Sequence, residues 1–202
     1  MENFLYCSEE EIVDYLRLFG AGRDSHDTEL SEAVRLKRFY DMHLHRPHLI
    51  GIPIKEEGIR QIRSGAISKN QALKDFRKES TDVDILILDA ADSNATPRDS
   101  VSGDVFQMKR LTDSQFNGDF TSSVIEALKK IFAKGYSKSP YLSLYVALNL
   151  KPQAHTPDWQ AIADFCTQSQ TPFVRIIIGP IKNERGEELL AEIHPRLRFV
   201  NL

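Results

Sequence analysis

Two apolar runs flanked by acids and bases constrain this chain more than any other feature. The first is Asp84-Ile85-Leu86-Ile87-Leu88-Asp89, and after a polar loop comes Asp104-Val105-Phe106-Gln107-Met108-Lys109-Arg110. Runs of this length rich in branched and aromatic residues are strands, and a polar loop between them predicts a hairpin. An extended strand sends successive side chains to opposite faces. Gln107 and Lys109 therefore share one face, and Phe106 and Met108 share the other. Two polar groups would then look out from an apolar sheet, with Asp84 at the head of the neighbouring strand able to approach them. An acid, an amide oxygen and an ammonium that converge are a candidate site for metal-assisted phosphodiester cleavage.

The segments that follow alternate in type. Ser123-x-x-Glu126 reads as a capping box before Val124, Ile125, Leu128, Ile131 and Phe132 at helical spacing, with Gly135 as the stop. Tyr141 to Leu148 is a nearly continuous apolar run, as expected of a strand buried on both faces. Thr156-Pro157 then opens a helix carrying Trp159, Ile162, Ala163 and Cys166 on one stripe, and Phe173 to Ile178 returns to strand before Gly179-Pro180. From Asp82 onward the expected order is strand, strand, helix, strand, helix, strand, which is an α/β pattern.

The arrangement resembles the PD-(D/E)xK nuclease superfamily, to which restriction endonucleases and Holliday junction resolvases belong. The resemblance covers about half of the chain. It implies a restriction endonuclease-like mixed central sheet flanked by helices, with a helical N-terminal extension: residues 1–70 as the helical region packed on the core, and 71–202 as the nuclease-like core. In that superfamily an Asp at the head of one strand and a Glu or Gln in the next hold magnesium or manganese, while a Lys two residues later positions the attacking water. Asp84 matches the Asp, Gln107 the variable acid or amide, and Lys109 the Lys. Two departures stand in the chain: Val83 replaces the nominal Pro, and Gln107 replaces an acid. Magnesium prefers carboxylate oxygens, so the resemblance implies a second acid. Glu79 comes first among the candidates, followed by Glu32 and Asp82. It further implies nucleic acid as partner, DNA ahead of RNA, and a homodimer as the assembly many members adopt.

The rest of the sequence bounds these expectations. Ser8-x-x-Glu11 with Ile12, Val13, Leu16 and Phe19 predicts a short capped helix, and Leu30 to about His43 predicts a second. Glu56 to Arg63 and Lys69 to Lys78 predict two more, separated by Ser64-Gly65. A chain of 202 residues with 41% hydrophobic residues is long enough to bury a substantial core. No apolar stretch approaches the roughly 20 residues that span a bilayer, and Met1-Glu2 lacks a basic signal region, so a cytoplasmic location without a membrane partner is expected. Cys7 and Cys166 show no metal-ligand spacing and are expected to act as small apolar residues.

A net charge of -3 argues against a broadly basic nucleic-acid binder. Local clusters remain: Lys74, Arg77 and Lys78; Lys109-Arg110; and Lys129, Lys130, Lys134 and Lys138. His43-Leu44-His45-Arg46-Pro47-His48 admits a zinc or iron reading if it forms a strand, and a helix-end reading favoured by the helix dipole. Neither a Gly-rich phosphate loop nor a Gly-x-Ser-x-Gly elbow occurs, which removes the usual signals for nucleotide enzymes and serine hydrolases. The competing expectation keeps the same fold without catalysis, as a binding module for protein or nucleic acid.

Overall fold

A computed structural model describes residues 4–19, 25–78, 83–91, 103–116, 119–136, 142–149, 157–183 and 185–202, with the side chains of 25–27 left aside. The fold is α/β, with eight strands and six α-helices among these residues. The chain divides into two compact units, Met1–Phe106 and Gln107–Leu202.

In the first unit, strands β1 (Phe4–Cys7), β2 (His48–Pro53), β3 (Ile85–Asp89) and the start of β4 (Gly103–Thr112) form an antiparallel ladder in that order. The predicted hairpin is present as β3 and β4, with Ile85 opposite Phe106 and Leu88 opposite Gly103. Gly103 admits this close pairing, because a Cβ there would come within 2.7 Å of the Ile87 carbonyl oxygen. One face of the ladder carries Ile50, Ile52, Ile85, Ile87 and Phe106, all buried. Helix α2 (Ser25–Leu44) packs on β2 and β3 and buries Leu30, Ala33, Leu36, Phe39 and Tyr40. Helix α1 (Glu9–Phe19) packs on α2 and has the predicted capping box: the Ser8 N–H donates to Glu11 Oε2 at 2.8 Å and the Glu11 N–H to Ser8 Oγ at 3.2 Å. Helices α3 (Glu56–Arg63) and α4 (Lys69–Phe76) pack on each other where predicted.

The N-terminal region is less purely helical than the sequence suggests. Strands β1 and β2 are short, and Gly51 and Pro53 inside β2 interrupt the alternation by which a strand is recognised.

The second unit continues from β4 to β5 (Leu142–Asn149), β6 (Arg175–Lys182), β7 (Glu188–His194) and β8 (Arg198–Asn201) in sheet order. Strands β5 and β6 are parallel, joined through helix α6 (Trp159–Gln168), whereas β6, β7 and β8 are antiparallel. Strand β5 is buried along seven of its eight residues, as its apolar run predicts. Helix α5 (Phe120–Phe132) precedes it and packs on α6.

Several predicted boundaries move: α2 begins at Ser25 rather than Leu30, and α4 ends at Phe76 rather than Lys78. Asp119, not Ser123, caps α5 and accepts the Ser122 N–H at 3.1 Å; Ser123 lies inside the helix and donates its hydroxyl to the Asp119 carbonyl. Burial of Phe120 against Trp159 draws the start back by a turn. Asp158 caps α6, accepting the Ala161 N–H at 2.9 Å, while Thr156 lies outside the described residues. Strand β6 runs through Gly179-Pro180 because the β6–β7 register shifts between Ile178 and Ile181, a bulge that accommodates a residue with no N–H to donate.

Candidate functional site

Asp84 stands directly before β3, half-buried, and its N–H donates to the Phe106 carbonyl at 2.9 Å. It belongs to the first unit, and Gln107 and Lys109 belong to the second. On β4, Phe106 and Met108 are buried on one side, so alternation puts Gln107 and Lys109 together on the other. Lys109 is half-buried, but Gln107 is 2% exposed. The expectation that both polar groups look out from the sheet is therefore corrected at Gln107, where the strand is covered on both faces. Of the acids expected to complete a metal site, Glu79 and Asp82 lie outside the described residues. Glu32 is buried on α2 and accepts from Arg35 Nη1 at 2.6 Å.

A second polar group of the first unit ties His48, from the histidine cluster, to helix α2. Asp41 on α2 accepts the His48 N–H at 2.8 Å and sits 3.1 Å from His48 Nδ1 through the same oxygen, while its other oxygen accepts from Lys37. His48 and Lys37 are buried, and Lys37 also reaches Glu9 at 3.6 Å. Across the ladder from His48 is buried Asp89, paired with Arg46 at 2.6 Å. The Tyr40 hydroxyl donates to Asp104 of β4. The available signal was the Lys37–Asp41 spacing on a helix, which puts the two on one face. The histidines do not form a strand motif: His43 is in the last turn of α2, His45 has a left-handed backbone at φ 52, and His48 opens β2.

In the second unit, Glu192 of β7 is 1% exposed and held by two arginines, Arg175 Nε of β6 at 2.8 Å and Arg198 Nε of β8. The carboxylate links three strands. Ser143 Oγ and His194 Nδ1 are buried without a hydrogen-bond partner among the described residues.

The donor set decides whether magnesium suits the predicted residues. Among the described residues no three His, Cys, Asp or Glu side chains gather as metal ligands. Asp84 supplies one carboxylate and Gln107 an amide oxygen, fewer charged ligands than this hard cation takes. The described residues do not by themselves fit the ion. No helix among them is long and apolar enough to cross a membrane. No family model matches the chain, and no curated protein or solved structure is significantly similar to it.

Proposed function

We propose that this chain has a restriction endonuclease-like core and acts on nucleic acid, DNA ahead of RNA, as a phosphodiesterase whose working residues are Asp84, Gln107 and Lys109. The observation that carries this reading is the order of elements. Helix α2, strands β2, β3 and β4, helix α5 and strand β5 follow one another as helix, three strands, helix and strand, with α3 and α4 inserted after the first strand. That is the order of the superfamily core, with β2 as the first of its three strands. Asp84 falls at the head of the second strand and Gln107-x-Lys109 on the third, where the resemblance places its catalytic residues. Agreement of this kind is a fold-level analogy. The chemistry rests on Lys109, whose ammonium would offset the negative charge that develops on phosphate as water attacks and the ester oxygen leaves.

Magnesium or manganese is the cofactor of this reading; of the acids predicted to hold it, Asp84 and Glu32 lie among the described residues, and Glu32 is already paired with Arg35. The same shortage favours a second reading, in which the fold binds nucleic acid or a protein without cutting. Cleavage of labelled single-stranded and duplex DNA and RNA, with manganese or magnesium, separates the two. Activity lost in Lys109→Ala and Asp84→Ala, with unchanged thermal melting, supports the nuclease. Equal activity in wild type and variants, or none in any, overturns it.

A further inference from the structure

We infer that Lys130 and Lys134, at the C-terminal end of α5, form a contact surface for the phosphate backbone of duplex DNA. The inference rests on the nucleic-acid reading above and adds where the polymer is held. The net charge of -3 conceals a strong separation along the chain: Gln107–Leu202 contains twelve Lys and Arg against nine Asp and Glu, a net +3, and Met1–Phe106 contains fourteen against twenty, a net -6. The unit that carries Lys109 is thus the basic one, and a polyanion is attracted to it while the whole chain remains acidic.

Within that unit, the outward side of α5 concentrates the charge. Lys129, Lys130 and Lys134 are all exposed. Lys129 is occupied, its ammonium donating to Glu126 at 2.6 Å and lying 5.9 Å from the centroid of the Phe165 ring. Lys130 feels the Glu126 carboxylate one turn back, which Lys129 already holds, and neither Lys130 nor Lys134 makes a close ion pair with a described residue. They are four positions apart on a turn that runs past the helix end, where the Ala133 N–H donates to the Lys129 carbonyl and the Lys134 N–H to that of Ile131. Two like charges so placed repel, and the negative end of the helix dipole beside them offsets that only in part. A row of phosphates would complement both ammonium groups, about 6 Å apart along the axis at helical rise. Backbone contact of this kind carries affinity without reading sequence.

The test is fluorescence anisotropy of a labelled duplex in EDTA over a series of salt concentrations, comparing wild type with Lys130→Gln/Lys134→Gln. Two lost phosphate contacts lower the slope of log affinity against log salt by about 1.8, and the loss of affinity near 0.1 M salt is on the order of tenfold or more. Unchanged circular dichroism and melting temperature exclude a folding defect; a double variant that melts lower is replaced by Lys130→Gln and Lys134→Gln singly, each of which must lower the slope by about 0.9. A slope and affinity equal to wild type overturn the inference, as does a wild type that binds no duplex. Binding that depends on the two lysines in a protein that never cleaves keeps the surface and removes the nuclease reading, so the two failures are distinct.

Discussion

His48 Nδ1 lies 3.1 Å from Asp41 Oδ1, and that same oxygen accepts the His48 backbone N–H at 2.8 Å. One carboxylate therefore fixes both the start of β2 and the orientation of the buried ring, and its second oxygen takes the buried Lys37 ammonium. Asp41→Ala removes the acceptor of the His48 N–H and leaves Lys37 only the longer Glu9 contact at 3.6 Å, and it is expected to destabilise the fold by about 1–3 kcal/mol in denaturant unfolding. Combined with Lys37→Met, the loss should be smaller than the two single losses together by at least about 0.5 kcal/mol, because the groups share one network. Strict additivity would show that the network does not couple them.

The Glu192 carboxylate is buried between Arg175 and Arg198 on the flanking strands. Glu192→Gln keeps the size of the side chain and removes the charge that both guanidinium groups face. The expected cost is about 2 kcal/mol, below that of a fully buried pair because both arginines are partly exposed to water. Urea unfolding measures it, and a loss under about 0.5 kcal/mol would mean that solvent already screens the cluster.

The elements legible in the sequence are those whose own residues specify them. The box of Ser8 and Glu11 forms α1, and the apolar run of β5 is buried as read. Strand β2 was not legible, since Gly51 and Pro53 disguise it and its partners β1 and β3 lie far away in sequence. Strands β7 and β8 depend equally on tertiary pairing. For the site, alternation gave the shared face of Gln107 and Lys109, but not the burial of Gln107. Burial of a strand's second face is decided by what packs over it, which a local pattern does not contain. The Asp41–His48 contact was hidden for a related reason: it joins a helix to a strand start across a turn, with no repeating period to mark it.

Cys7 and Cys166 are free, fully buried thiols, and burial pushes each up to about 12. For Cys7 the neighbouring Glu11 adds to that rise and Lys69 opposes it. Thiolate is the reactive form, so the native protein is expected to be inert to an aromatic disulfide reagent at neutral pH and to release two equivalents in denaturant. A fast-reacting thiol in the native protein would contradict the placement of α6 or β1.

Burial depresses the His194 pKa below its ordinary value, with Glu192 opposing more weakly. The folded state thus prefers neutral imidazole, whereas the unfolded chain protonates near the ordinary histidine value of about 6.5. As pH falls through that value, the unfolded state takes up a proton that the folded state resists, so stability is present above it and declines until the folded group titrates as well. The melting temperature should fall between about pH 7.5 and 5.5, and His194→Gln should flatten the decline. Glu192→Gln removes the opposing charge and should steepen it. An unchanged slope in His194→Gln would assign the pH dependence in this window to another group.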